Sequence, residues 1–355
     1  MPITALKPNK IPVKDSNPVE MQKKGNYKKL FKEFNGLNVI IIGDVMVDSY
    51  LWGKVERISP EAPIPIVALK KRENRMGGAA NVARNILAMG ANPILCSVIG
   101  TDDKADVFLD LLKREKIDPF GIIRSPRRIT TTKFRIFGNS YQMLRMDEEA
   151  DNDLAGSDYM TLIRVLDQVL DQKKIDCIIF QDYDKGVITT RLIREVVSRA
   201  KARGIPVTAD PKRKNFSAYS GVTLFKPNLK ELKEGIHVDA DPSDLESVEL
   251  ANRKVREKLQ TRFILTTLSE HGVLISSDPV EGQKNIFIPA HIRSVADVSG
   301  AGDTVISVAS LCLAKGCSPY EIAYISNLAG GIVCEEVGVV PIDKSKLLKE
   351  VLTLL

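Results

Sequence analysis

Histidine, aromatic residues and long apolar runs are all scarce in this sequence, and each scarcity excludes a class of protein. There are three histidines, His237, His271 and His291, with no HExxH pair and no His/Cys cluster, which excludes a zinc site of the usual spacing. The five cysteines, Cys96, Cys177, Cys312, Cys317 and Cys334, form no CxxC and read as reduced thiols of a cytoplasmic protein. No stretch approaches the roughly 18 uncharged apolar residues of a membrane span, and the N-terminus has no apolar signal-peptide core. GxxxxGK[ST] is absent, as is GxGxxG between the first apolar run and a helix, which excludes a P-loop and a dinucleotide fold.

The 355 residues suit two domains or one large α/β unit, with ordinary soluble composition. Charge is uneven. Residues 1–35 carry eight Lys against Asp15, Glu20 and Glu33, so five of the six net positive charges lie there. The remainder is nearly neutral. Residues 1–35 lack aromatics interleaved on a shaped surface, so the expectation is a flexible basic leader, with no nucleic-acid partner and no membrane partner. Residues 1–20 contain four prolines, and residues 19–35 could form a short basic helix.

Beyond the leader one unit recurs. Apolar runs at 37–42, 94–99, 176–180, 205–209, 222–225 and 263–267 each end in polar residues: Gly43-Asp44, Gly100-Thr101-Asp102, Gln181-Asp182, Asp210-Pro211, Lys226-Pro227-Asn228 and Leu268-Ser269. Helical periodicity fills 79–90, 103–116, 157–172, 189–203, 244–260, 303–316 and 319–336. This alternation predicts an α/β fold with a mostly parallel sheet covered on both faces, and ligands at the carboxyl ends of its strands. Segments within about 45–70 and 129–147 alternate instead, as in Thr131-Thr132-Lys133-Phe134-Arg135-Ile136-Phe137, and predict antiparallel strands of a small β lid.

Four segments carry chemistry. In Asp297-Val298-Ser299-Gly300-Ala301-Gly302-Asp303-Thr304, two glycines precede an apolar helix, so free amides at its N-terminus form an anion site. Asp303 is either a base meeting an incoming hydroxyl or a favourable first-turn acid. In Met76-Gly77-Gly78-Ala79-Ala80-Asn81, the glycines admit a polyol or phosphate, or else pack a helix against a strand; Asn81 can donate and accept at a sugar hydroxyl. Asp44 and Asp48 can accept from neighbouring hydroxyls or cap a turn. Asn228-Leu229-Lys230-Glu231 can hold a hydrated magnesium ion or form a capping box.

Together these segments resemble the ribokinase-like carbohydrate kinases, the PfkB family, over about residues 36–345. The hallmarks are Gly77-Gly78-Ala79-Ala80-Asn81 and the run Asp297 to Asp303, in that order. The resemblance implies a ribokinase-like three-layer sandwich over 36–350 and transfer of the γ-phosphoryl group of ATP to a sugar hydroxyl. It makes Asp303 the catalytic base, with Gly300, Ala301 and Gly302 as the anion hole. Asn228 and Glu231 then belong to a magnesium–phosphate motif acting through water. Ser269, Gly272 and Asn327 line the ATP pocket, a monovalent cation sits near Asp297, and lid strands pair two subunits into a homodimer.

The segments Arg57 to Pro65, Tyr141 to Asp147 and Gln181 to Gly186 are further similar to D-glycero-β-D-manno-heptose-7-phosphate kinases. Those enzymes phosphorylate C1 of the heptose phosphate on the route to ADP-heptose and the lipopolysaccharide core. The substrate-binding candidates are then Asp44, Asp48, Arg57, Gly77, Gly78, Asn81, Gln142, Arg145 and Lys185. Arg145 and Lys185 are the preferred cations for the distal phosphate, before Arg57, Lys212 and Arg213. The competing expectations are a kinase of another sugar phosphate or of a nucleoside, and an idle sensor on the same fold, against which the intact Gly300 to Asp303 argues. No HxGH-type nucleotidyltransferase motif occurs, so adenylylation is expected from another protein.

Overall fold

The apolar runs become strands because each is buried on both faces. The computed structural model describes residues 24–277 and 285–354. Its strands are β1 (Asn38–Gly43), β2 (Val45–Ile58), β3 (Pro65–Gly78), β4 (Asn92–Ile99), β5 (Ile122–Arg124), β6 (Thr132–Gly138), β7 (Tyr141–Glu148), β8 (Cys177–Gln181), β9 (Val207–Asp210), β10 (Leu224–Phe225), β11 (Phe263–Thr267), β12 (Gly272–Ser277) and β13 (Ile286–Pro289). Its α-helices are α1 (Lys24–Glu33), α2 (Ala79–Ala88), α3 (Asp103–Arg114), α4 (Gly156–Gln172), α5 (Thr190–Ala202), α6 (Leu229–Ile236), α7 (Leu245–Leu259), α8 (Ala301–Ala314), α9 (Pro319–Val333) and α10 (Lys344–Leu354).

Nine strands form one sheet in the order β13-β12-β11-β10-β9-β8-β1-β4-β5. Every pairing from β5 to β11 is parallel, and β12 and β13 close that edge antiparallel. In β1, Val39 and Ile41 face a core shared with α1, α2, α3, α8, α9 and α10. Ile40 and Ile42 face the opposite core, shared with α4, α5, α6 and α7. The result is three layers, as period-2 side chains in a doubly buried sheet require. The chain leaves β1 toward β4 on one side and returns to β8 on the other. The crevice where open α/β sheets bind ligands therefore lies at the carboxyl ends of β1 and β8.

The second sheet has the order β3-β2-β6-β7. Its β2–β3 and β6–β7 ladders are antiparallel hairpins, whereas β2 and β6 run parallel. The expectation of a purely antiparallel lid is corrected here. Alternation specifies which residues share a face but not the direction of a strand drawn from a distant segment. Tyr50, Trp52 and Phe137 stack on that sheet, with centroids 5.5–6.3 Å apart.

The leader boundary is corrected too. Residues 1–23 lie outside the described residues, but α1 belongs to the folded body. Tyr27, Leu30 and Phe31 form a helical stripe that, with Phe34, is buried in the first core. Lysines on the other positions conceal this stripe in a count of charge. Among the described residues no helix is long and apolar enough to cross a membrane.

Phe34 has no exposed surface. Phe34→Ala is expected to cost about 3–5 kcal/mol, read as a lower urea midpoint at unchanged slope. A midpoint equal to wild type would show that α1 docks without contributing to the core.

Candidate active site

The buried strands stop in polar residues, and these meet the first turn of α8. Asp303 sits there at 5% exposure. Its Oδ2 accepts from Asn81 Nδ2 of α2 at 2.8 Å. Its Oδ1 accepts from Gln181 Nε2, at the end of β8, at 3.1 Å and from the Tyr183 hydroxyl at 2.8 Å. Gln181 Nε2 also reaches Asp210 Oδ2 at 3.2 Å, and Asp210 pairs with the buried Lys226 at 3.1 Å. Asn81 of α2 and Gln181 and Tyr183 at the end of β8, each at least 120 residues away in sequence, thus converge on one carboxylate of α8.

Burial pushes the Asp303 carboxyl up to about 6, despite the lowering effect of the bonds from Asn81 and Tyr183 and with a further rise from Asp210. Gly300 caps α8 with φ +83°, and a Cβ there would lie 2.9 Å from Asn81 Nδ2. A side chain at this position would be strained and would collide with the asparagine. The first amides of α8 have no intrahelical acceptor and, with the helix dipole, favour an anion beside Asp303. Two buried acceptors, Asn81 Oδ1 and Gln181 Oε1, have no partner among the described residues. Unpaired buried acceptors are costly, and hydroxyl donors of a polyol would satisfy them.

The other expected residues divide. Gly77 makes room for the Asp48 side chain of the adjacent strand, and Gly78 for the backbone just before that strand. A Cβ on Gly77 would stand 2.3 Å from Asp48 Oδ2, and one on Gly78, whose φ is +63°, would stand 2.3 Å from the Asp44 carbonyl. Asp48 is buried and ion-paired to Arg135. Asp44 turns its carboxylate to backbone amides. Its carboxylate accepts the amides of Tyr183 at 3.0 Å, Lys185 at 3.2 Å and Val187 at 2.9 Å, and it is 1% exposed. Burial raises its pKa against the lowering effect of these three amides. Its job is to hold the loop that follows β8, which is the turn-capping reading of this acid.

Arg145 and Lys185 come together through acids. Arg145 makes two bonds to Asp147, at 2.9 and 2.6 Å. Lys133 joins Asp147 to Glu149, and Lys185 binds Glu149 at 2.8 Å. Arg57 is not brought to this cluster. It is exposed nine residues beyond Asp48 on β2, roughly 30 Å along an extended strand. Gln142 is likewise exposed, on β7 opposite Phe137, toward the outer end of the lid. Both belong to segments legible as motifs, but strand length carries them away from Asp303.

Asn228 and Glu231 form a complete capping box at the start of α6. Asn228 Oδ1 accepts the Glu231 amide at 2.8 Å, Glu231 Oε2 accepts the Asn228 amide at 2.9 Å, and Glu231 also pairs with Lys212. Direct metal ligation by this pair is therefore not what the geometry offers; lone pairs toward water remain. Among the described residues no group of three or more His, Cys, Asp or Glu could hold a metal ion. Ser269 and Gly272 flank the short turn before β12, and Ala290 donates to the His271 carbonyl there. Asn327 of α9 donates to the adjacent Pro289 carbonyl at 3.0 Å, so these three candidates meet at one edge of the sheet. Asp297 is tied to the amides of Ser299 at 2.9 Å and Gly338 at 3.0 Å. Burial works to raise its pKa, but these amides hold it below the ordinary value. Asp210 and Lys226 are visible in the sequence only as polar residues ending apolar runs; Gln181 and Tyr183 lie in the segment Gln181 to Gly186 that carries the resemblance, with no role assigned to either.

A doubly covered parallel sheet, a small β lid and a helix N-terminus aimed at a buried carboxylate define an α/β small-molecule kinase fold. The chain belongs to the pfkB family of carbohydrate kinases, whose pattern matches residues 37–345. Members of this family are phosphotransferases with an alcohol group as acceptor. It is 37% identical over 310 residues to the bifunctional protein HldE of Caulobacter sp. strain K31 and 38% identical over 312 residues to HldE of Methylobacillus flagellatus. These alignments cover 87% and 88% of the chain but only 62% of each relative. In fold it is similar to phosphofructokinase-2 from Escherichia coli in complex with potassium, with TM-score 0.72 and 18% identity, covering 89% of this chain and 99% of that one. Arabidopsis thaliana ribokinase complexed with ribose and ATP gives TM-score 0.67 and 16% identity, covering 89% and 99%.

The elevated Asp303 pKa has a consequence for stability. Between the ordinary value of 3.8 and about 6, the folded protein keeps a proton that the unfolded chain has released. This contribution is fully present below pH 3.8 and is lost as pH rises through about 6. Unfolding free energy of wild type minus that of Asp303→Asn is therefore expected to fall across this window and to level off above it. A flat difference from pH 4 to pH 7 would contradict the burial argument.

Proposed function

We propose that this chain transfers the γ-phosphoryl group of ATP to the C1 hydroxyl of D-glycero-β-D-manno-heptose 7-phosphate, giving the 1,7-bisphosphate. The observation that carries the reading is Asp303, buried at the N-terminus of α8 between Asn81, Gln181 and Tyr183. In the proposed step the C1 oxygen attacks the γ-phosphorus, the bond to the ADP oxygen breaks, and the hydroxyl proton passes to Asp303. The amides of Gly300 and Gly302 meet the charge on the transferring group in this reading, whereas that of Ala301 already donates to the Val298 carbonyl at 3.3 Å. Asp48, Gly77, Gly78 and Asn81 shape the sugar side, and the unpaired oxygens of Asn81 and Gln181 suit its hydroxyls. Arg145 and Lys185 attract the distal phosphate from within the lid network. Ser269, Gly272 and Asn327 border the nucleotide.

The donor set fits Mg²⁺ only as a hydrated ion carried by ATP, which would neutralise phosphate charge. Glu231 and Asn228, both committed to the helix cap, would hold it through water. A monovalent cation beside Asp297 is part of the proposal, supported by the E. coli phosphofructokinase-2 structure in complex with potassium. So is a homodimer through the lid, where Tyr141, Met143, Leu144 and Met146 of β7 lie exposed. The similarity to HldE proteins supports the place of the reaction, in the cytoplasm on the route to ADP-heptose and the lipopolysaccharide core.

The test couples ATP consumption to product mass, with heptose 7-phosphate beside fructose 6-phosphate, ribose and adenosine. Selective turnover of the heptose phosphate is expected. Preference for another acceptor would keep the family and discard this substrate. In the same assay Asp303→Asn should lose at least about 10²-fold in turnover with ATP binding retained; near-normal turnover would remove Asp303 as the base.

A further inference from the structure

We propose that Tyr183 is a positioning residue for phosphoryl transfer, its hydroxyl and the Gln181 amide together holding Oδ1 of Asp303 so that Oδ2 is the oxygen left for the acceptor hydroxyl. This rests on the reading of Asp303 as the base. Oδ1 takes two donors, from Tyr183 at 2.8 Å and Gln181 at 3.1 Å. Oδ2 takes one, from Asn81 at 2.8 Å, and keeps a lone pair. A carboxylate accepts at about four lone-pair sites, so three donors leave room for one hydroxyl at the less crowded oxygen.

The tyrosine is itself held. Its backbone amide donates to Asp44, as do those of Lys185 and Val187, so the loop after β8 is anchored by one buried carboxylate. The Lys212 ammonium lies 5.7 Å from the centre of its ring. The phenol is kept neutral far above the ordinary range, first by burial and then by the charge of Asp303. It therefore donates across the working pH range and never competes for the proton.

A donor to the charged form of a carboxylate lowers its pKa. The other groups facing this pair are Asn81 from α2, Asp48 from β2, Gln181 and Asp210 from the ends of β8 and β9, and Lys212 and Lys226 from the segments that follow β9 and β10. Each stays in place when only the phenol oxygen is removed. Asp182, pushed up to about 7 by burial and then by Asp44, bonds Tyr219, Asn215 and the Asp184 amide. Its titration is common to wild type and variant.

The measurement is the pH profile of kcat/KM for the heptose phosphate with wild type, Tyr183→Phe and a protein carrying 3-fluorotyrosine at position 183, a stronger donor of the same shape. If the lost bond raises the acid limb by roughly one pH unit, Tyr183→Phe loses about fivefold at pH 6 and recovers to nearly wild-type turnover at pH 8. The fluorinated protein moves the limb the other way. KM for ATP stays unchanged. Superimposable limbs for all three, or a loss that persists at pH 8, would overturn the proposal. Should Tyr183→Phe fail to fold, the fluorinated protein decides alone. Substantial turnover by Asp303→Asn would instead sink the base assignment, whatever the tyrosine does.

Discussion

Burying a carboxylate inside a protein costs several kcal/mol unless donors replace its water, and the arrangement around Asp303 meets that constraint with three donors from two distant parts of the chain. Asn81 comes from the start of α2, Gln181 from the end of β8, Tyr183 from the loop beyond it, and the aspartate from α8. None of these donors can reach it unless β1, β8 and β9 stand side by side and α2 and α8 cover the same face of the sheet. The carboxylate is still left above its ordinary value, because burial outweighs the donors. A base of that kind is charged at neutral pH yet accepts a proton readily.

The same economy of acids recurs around it. Asp44 organises the loop carrying Tyr183 and Lys185, Asp48 holds Arg135 of the lid, and Asp210 neutralises the buried Lys226. Asp147 and Glu149 tie Arg145, Lys133 and Lys185 into one network at the root of the lid. Cations expected to await a phosphate are thus held by acids. Phosphate binding there would exchange one set of ion pairs for another, a modest net gain consistent with the small worth of partly exposed pairs.

Much of the fold was legible because buried strands and amphipathic helices leave periodic marks. The segments 263–267 and 319–336 reappear as β11 and, over most of its length, α9. Three kinds of feature were not legible. A short basic helix was expected over 19–35, but its docking into the core as α1 was hidden by its lysines. The parallel run of β2 beside β6 is a matter of direction, which a period-2 pattern does not encode. Asp44 and Asp48 look alike in sequence, four residues apart, but only Asp44 lies beneath backbone amides of the loop after β8. Likewise Arg57 and Arg145 both sit in motifs, and the length of β2 separates them.

By itself the sequence determined the layers, the strand ends and the two glycine-bearing segments, since periodicity and backbone freedom are local properties of a chain. It also carried the family resemblance, in the order of those segments. Only the tertiary structure decided which polar residues share a site. Tyr183 and Gln181 lie some 120 residues from Asp303, with |i−j| of 120 and 122, and no local pattern records a hydrogen bond across that distance. Their meeting follows from strand order, which is set by the packing of both cores at once.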